Sequence, residues 1–556
     1  MDSVFSKMSV IPATGTPVLI LKEGSSRTRG RDAQRNNIQA AKVVAEVVRS
    51  SLGPRGMDKM LVDSLGDVTI TNDGATILKE MEVEHPAAKL MVEVSKSTDS
   101  EVGDGTTSAV VLAGELLKKA EELLDVDVHP TVIVEGYRRS VTKALELLPQ
   151  LAEKVDPKDK AVLKKVIMTT MGSKIVRENS DFLSNLIVEA ALRVTKEENG
   201  KLVCRVDDIK LEKKAGGSIN ETTLVEGIVI DKEVVHPGMP RRISNAKILI
   251  INSPLEIEKT DFDAKINIER PEQIKLFIEE EQKILKGMVD KIASVGANVV
   301  LCQKGIDDIA QHYLAKAGIL AVRRVKESDV EKASKATGAR VITNLEDLSP
   351  SDLGFAELVE ERKIGEDKWL FVERCKNPLS VTVLIRGGTE KVVDEVERAL
   401  HDSVYVAKDV IMRPYVVAGG GAIEVELATK LRDFAETVPG KEQLAVKKFA
   451  EALEIIPSSL AENAGLDTID IMAELRRVHE AGQKWAGVDV YNRKVSNMWD
   501  RDVLEPLSVK EQVIKSAAEA ASMIIRIDDV IAAGKIKEKE KPGEKEKLGE
   551  TGGEFD

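Results

Sequence analysis

Cysteine is nearly missing from this chain: Cys204, Cys302 and Cys375 are the only three. They stand far apart and form no CxxC pair, which argues against a disulfide framework and a thiolate metal site and leaves them as structural thiols. Aromatic residues make up only 3% of the sequence, and the net charge is -13. A nucleic-acid surface needs a basic face and stacking rings, so no DNA or RNA partner is expected. Long apolar runs are lacking as well. Nothing is long enough to span a bilayer, and the opening MDSVFSKMSVIPATG has neither the basic region nor the apolar stretch of a secretory signal. The expectation is a cytoplasmic protein with no membrane partner. The generic signatures GxxxxGKS/T, HExxH, GxSxG and a full GxGxxG are absent too, so the common phosphate, zinc, serine and dinucleotide sites are not expected.

What is present is size and charge. With 556 residues and 42% hydrophobic content, the chain is too long for one core and should divide into roughly two to four domains. Charged residues reach 31%, mostly Lys and Glu, a balance that fits ion-pair networks in a heat-adapted protein or a highly solvated surface. Ile38, Ala41, Ala45, Val48 and Leu52 recur at helical spacing, predicting a helix over 32–52 that Gly53-Pro54 stops. Short strands are predicted over 60–62 and 68–71, with Asn72-Asp73-Gly74 as a turn before a helix. Pro86 opens a helix to about Thr98, and another runs from Thr106 to about Leu124. The middle differs: apolar runs at 248–251, 299–302, 319–323 and 340–342 alternate with helices and suggest a parallel α/β sheet. A long insertion carrying Leu255, Ile257, Phe262, Ile266 and Ile268 separates the first two of these strands, and the amphipathic helix following it from Pro271 is expected to bury most of its apolar stripe by local packing. From about Val416 the chain returns to helices, and the Lys/Glu/Gly-rich residues 535–556 form a tail expected to be disordered.

Three glycine clusters stand out. Gly103-Asp104-Gly105-Thr106-Thr107 lies between two helices, so it reads either as a helix–helix turn or as an anion cradle of backbone N–H groups and hydroxyls, with Asp104 placed to hold magnesium. Leu52-Gly53-Pro54 is a helix stop or a ligand loop. Gly419-Gly420-Gly421, after an apolar strand, is a flexible joint or a close approach to a ligand. Singly these are weak, but their joint occurrence and order are specific. LGPRGMDKML, TNDGATIL, GDGTTSAVVLAGELL and VVAGGGAIEVELA resemble the chaperonins. PVLILKEGSSRTRGRDAQ and ALHDSVYVAKDV resemble the group II branch, of the archaeal thermosome type, and the likeness covers all but the charged tail.

The resemblance implies an α+β multidomain fold. A mainly helical equatorial domain would comprise residues 1–154 and 411–534, and a small mixed intermediate domain residues 155–223 and 376–410. An α/β apical domain over 224–375 would carry a helical protrusion at about 252–285, acting as a built-in lid. The implied activity is Mg2+-dependent ATP hydrolysis driving enclosure of non-native proteins in a double ring made of copies of this chain and paralogous subunits. Residue by residue, Leu52, Gly53 and Pro54 would contact phosphate, and Asp104 would ligate Mg2+. Gly105, Thr106, Thr107 and Ser108 would bind the phosphates of ATP or ADP. Gly420 would border the nucleotide, Asn497 would lie near the nucleoside, and Lys174 would sense the γ-phosphate. Asp402 would position and deprotonate the attacking water, with Asp73 the second acidic residue there. Without the family, Asp402 reads as a surface carboxylate and Lys174 as a surface lysine. Rival readings are a scaffold whose assembly ATP regulates, which has no need of Asp402, and a metabolic ATP-dependent transferase, for which the chain carries no substrate signature.

Overall fold

The computed structural model describes residues 26–257, 271–376 and 378–532. The charged tail, the first residues and the stretch carrying Phe262, Ile266 and Ile268 lie outside the described residues. Among the described residues no helix is long and apolar enough to cross a membrane.

Helices dominate both ends of the chain. Helix Gly30–Arg49 buries Ile38, Ala41, Ala45 and Val48 at the expected spacing, but it ends before Leu52. The Ser51 hydroxyl turns back on the Val48 carbonyl at 2.8 Å, and Gly53 takes a φ of +79°, which a side chain would resist. Pro86 and Pro130 open helices Pro86–Val102 and Pro130–Leu151, where the missing N–H has no intrahelical role. The former runs past the expected Thr98 to Gly103, whose left-handed φ of +65° stops it. With Thr106–Asp125, Ala422–Thr437, Glu442–Leu453 and Leu507–Ile525, these helices share one apolar core drawn from both ends of the chain. Inside it Tyr137 stacks edge-on against Phe449, ring centres 5.5 Å apart, and donates its hydroxyl to the Leu116 carbonyl at 2.7 Å. On the surface the abundant Lys and Glu form networks: Lys119 and Lys448 each reach both Glu122 and Glu451. Such arrays hold more than isolated exposed pairs do.

A second core packs helices Lys160–Met171, Ser180–Val194 and Glu390–Met412 on a small sheet. In that sheet strand Val381–Gly387 lies parallel to Ile209–Ala215 and antiparallel to Thr223–Val225. The middle of the chain forms a seven-stranded sheet. Arg242–Ile251 runs parallel to Val299–Cys302 and Val341–Ile342, and Val299–Cys302 parallel to Leu320–Val322, as the apolar runs suggested. The expectation of a parallel sheet needs correction on the other side, where Gly354–Ile364, Asp367–Glu373 and Gly227–Ile230 pair antiparallel. Only Gly365 and Glu366 separate Ile364 from Asp367, and so short a connection can return the chain only antiparallel. All three cysteines are buried and free, and burial raises each thiol pKa, to about 11 for Cys204 and Cys302 and about 12 for Cys375.

Leu255, at the start of the insertion, bridges to Ile306 and is fully buried. Helix Pro271–Ser294 buries Leu285, Val289 and Ile292, whereas Leu276, Phe277, Ile278 and Ile284 are exposed. The expected burial of its apolar stripe therefore holds for the second half only; no described residue covers the side chains at 276–278.

Candidate functional site

Two short pieces of backbone tie the three glycine turns together. On helix Ile455–Asn463, Pro457 packs on Gly421 and Leu460 on Gly53. Beside the start of helix Leu507–Ile525, Glu505 packs on Gly419 and Val509 on Gly105; a Cβ at Gly105 would sit 2.9 Å from Val509 Cγ1. A side chain at Gly53, Gly419 or Gly421 would likewise collide, so the turns approach closely because they lack side chains.

The helix end beside Asp104 is open. Gly103 and Gly105 both take left-handed φ, +65° and +77°, and Gly105 caps helix Thr106–Asp125 without a side-chain bond. The first backbone N–H groups, including those of Thr106, Thr107 and Ser108, have no partner within the helix and carry its positive end. A Cβ on Gly74 would strike Thr107, so helix Gly74–Glu80 lies against this end, and its cap, Asp73, comes with it. Asp73 Oδ2 accepts from the Thr76 N–H at 2.8 Å and hydroxyl at 2.7 Å. Asp104 Oδ1 accepts from the Gly105 N–H at 2.6 Å, and Oδ2 from the Thr170 hydroxyl at 2.8 Å.

The buried Lys174 ammonium forms an ion pair with Oδ2 of the buried Asp402. Lys174 follows helix Lys160–Met171, and the Asn72 amide holds its loop by donating to the Ser173 carbonyl. Asp402 lies on the buried face of helix Glu390–Met412. Burial pushes the Asp402 carboxyl up to about 6, and Lys174 and then His401 oppose that rise. For Lys174 burial disfavours the charge, but Asp402, Asp73 and Asp104 outweigh it and raise the ammonium pKa. His401 Nδ1 stands 3.7 Å from the other Asp402 oxygen, and the carboxylate raises the imidazole pKa against the effect of burial. Burial, with Asp73 next, raises the pKa of nearby Asp99.

A cavity of about 530 Å³ reaches this cluster and is lined in part by Asp73, Thr76, Asp99, His401, Asp402 and Tyr405. It does not touch Gly53, Gly105 or Gly420; the cradle is located by the glycine turns, the cavity by the carboxylates.

The remaining expected residues divide. Leu52 points into the core, and its carbonyl accepts from the Asn463 amide at 2.9 Å, so its side chain is unavailable to a ligand. Gly420, with φ +66°, accepts the Val488 N–H at 2.9 Å and so anchors hairpin Ala486–Asp489/Lys494–Asn497. Asn497, on that hairpin, is exposed; its Oδ1 accepts from the Trp499 N–H at 3.0 Å, and it makes no contact with the carboxylate cluster. Sequence reasoning met His401 only as the neighbour of Asp402 in ALHDSV and gave it no role, and it passed over Asp99 and a buried network behind the triple glycine, where Lys510 pairs with Glu505 and, at 2.8 Å, with Glu424. A lysine and two glutamates inside apolar stretches were the available signal. Burial opposes the Lys510 charge, but Glu424 and Glu505 raise its pKa.

The described residues thus form an α+β protein of several cores, with an open helix end and clustered carboxylates beside closely packed glycine turns. Residues 44–535 match the TCP-1/cpn60 chaperonin family. The thermosome subunit alpha of Archaeoglobus fulgidus is 61% identical over 542 residues, covering 98% of each chain. A thermosome subunit of Pyrococcus horikoshii is 60% identical over 531 residues, 96% of each chain. One of Methanopyrus kandleri is 60% identical over 529 residues, 95% of this chain and 97% of that one. The chain belongs to the TCP-1/cpn60 chaperonin family, on its archaeal group II branch. Its function is that of an ATP-dependent chaperonin, an ATPase whose hydrolysis serves protein folding.

Proposed function

We propose that ATP is hydrolysed where helix Thr106–Asp125 begins, with Asp402 as general base, and that the Lys174–Asp402 pair is the resting lock of this site. The observation that carries the reading is that buried pair, set among Asp73 and Asp104 at an open helix end. Gly53, Pro54, Gly105, Thr106, Thr107 and Ser108 would cradle the phosphates with backbone N–H groups and hydroxyls, and Gly420 would border the nucleotide. Asn497, on the hairpin that Gly420 anchors, would lie near the nucleoside. When the γ-phosphate draws Lys174 away, Asp402 is freed to take a proton from the attacking water while Asp73 orients that water.

Asp104 fits magnesium: each of its oxygens accepts one hydrogen bond and keeps a lone pair, and this ion takes one or two carboxylates plus phosphate oxygens. When bound it neutralises phosphate charge. Lys174→Met tests the lock. Without its cation the buried Asp402 of the nucleotide-free protein should hold its proton to higher pH, and its carboxyl titration, followed by infrared difference spectroscopy, should move up by roughly one pH unit. An unmoved titration would show that Asp402 does not depend on Lys174 in the resting state.

The helical body fits an equatorial domain built from both chain ends, the second core an intermediate domain, and the seven-stranded sheet unit an apical one. Copies of this chain, with paralogous subunits, would stack in two rings in the cytoplasm and enclose non-native proteins. The exposed Leu276, Phe277, Ile278 and Ile284 support a lid that meets substrate or neighbouring lids. Leu255 and Leu285 belong to the sheet's core, so a Gly/Ser linker should replace only residues 258–280. That variant should keep ATP hydrolysis and lose protease protection of a trapped client; undiminished protection would remove the lid assignment. Electron microscopy of the purified protein with and without ATP, run beside a phosphate-release assay, tests ring assembly and chemistry together.

A further inference from the structure

Three separate segments bordering the proposed nucleotide cleft converge on one exposed tyrosine. The Arg177 guanidinium lies over the Tyr491 ring with its Cζ 4.4 Å from the ring centre, and Arg55 lies over the same ring at 5.4 Å. Arg55 directly follows Gly53-Pro54. Arg177 sits on the short helical turn Ile175–Asn179, immediately after Lys174. Tyr491 stands at the tip of the hairpin that Gly420 anchors through Val488. Among the described residues neither guanidinium has an ion pair or hydrogen bond, so the aromatic face is the partner given to each.

The tyrosine is held firmly. Asp489 Oδ1 accepts the backbone N–H groups of Tyr491 at 3.2 Å and Asn492 at 3.0 Å, and its Oδ2 takes the Asn492 amide at 2.8 Å. Arg501 pairs with the same carboxylate at 3.2 Å. Beyond the tip, Arg493 donates to the carbonyls of Ala464 at 3.0 Å and Gly465 at 2.7 Å. The ring is thus a fixed post, while Arg177 rides on the loop that carries Lys174.

We propose that Tyr491 is the keeper of a clasp: Arg177 and Arg55 close on its ring, holding the Lys174 loop down over the cleft and slowing exchange of bound nucleotide. The clasp rests on the reading of this cleft as the ATP site. It is a positioning device, distinct from the chemistry at Asp402, because no carboxylate of that cluster contacts the ring. It requires an aromatic face and not the hydroxyl, since the attraction is between guanidinium and ring quadrupole.

The test is the release of ADP bearing a fluorescent ribose label from the full-length assembly, chased with unlabelled ADP. Two exposed cation–π contacts correspond to a release roughly 5- to 30-fold faster in Tyr491→Ala. Tyr491→Phe should release as slowly as the unaltered chain, and Arg177→Gln, which removes the nearer contact only, should fall between. Release from Tyr491→Ala within about twofold of the unaltered chain would overturn the clasp, as would Tyr491→Phe releasing as fast as Tyr491→Ala. Should Tyr491→Ala fail to assemble, Arg177→Gln decides alone: unchanged release would sink the idea. If the unaltered chain binds no labelled ADP, the reading of the cleft falls and the clasp with it; normal binding with insensitive release removes only the clasp.

Discussion

Asp402→Ala should bind ATP about as tightly as the unaltered chain and hydrolyse it roughly 10²- to 10⁴-fold more slowly, the range for losing a positioned general base. The substitution touches none of the glycine turns, the helix end at Thr106 or Asp104, so the cradle survives it. It also leaves Lys174 without its carboxylate in the resting state, but Asp73 and Asp104 still favour the charged form of that ammonium. Single-turnover hydrolysis at saturating ATP, with affinity measured separately, reads the two quantities apart. Near-normal hydrolysis would sink the base assignment and make Asp73 the next candidate. The same residue sets a pH dependence. Burial pushes its carboxyl up to about 6 even while Lys174 opposes that rise, so Asp402 is protonated and unable to act as a base below that pH. Hydrolysis should therefore decline as pH falls through about 6, a limb that Asp402→Ala should lack.

Asp104→Ala should fail in the opposite place, with magnesium-dependent ATP affinity falling by about 10²-fold or more because the phosphates lose the ligand of their counter-ion. The Thr170 hydroxyl and Gly105 N–H, both satisfied by this carboxylate, would also be left without it. The diagnostic is an affinity that no longer rises with added magnesium. If titration calorimetry gave the same magnesium dependence as the unaltered chain, Asp104 would not be the metal ligand. Together the two variants separate holding the substrate from attacking it.

The contrast between these residues is also a contrast in legibility. Asp104 lies inside a local pattern, glycine, carboxylate, glycine and two hydroxyls between two helices, and such a turn can be read as an anion site because every part of it is adjacent in sequence. Asp402 carries no comparable local signal; on its helix it reads as a surface carboxylate, and only the resemblance carried by ALHDSV nominated it. Its burial against Lys174 comes from helices Lys160–Met171 and Glu390–Met412 packing in one core, a long-range event no window of residues reports. Tyr491, Arg55 and Arg177 are further cases, one from each of three segments.

Elsewhere the division follows the same physics. Periodicity set the helices near both ends, and the apolar runs at 248–251, 299–302, 319–323 and 340–342 supplied the parallel strands. Alternation of strands and helices says little about the sheet's other edge, which the tight turn at Gly365 made antiparallel. The helix after Pro271 was legible as amphipathic, but amphipathicity does not name the surface that covers it, and the structure covers only its second half. By itself the amino-acid sequence determined the family, the helical ends, the glycine turns and the carboxylate between two of those glycines, since each depends on neighbours along the chain. The tertiary structure alone decided that the two ends share one core, that Lys174 and Asp402 meet as a buried pair, and that one tyrosine gathers two arginines. Burial and charge pairing act through space, and their partners are chosen only once the chain has closed on itself.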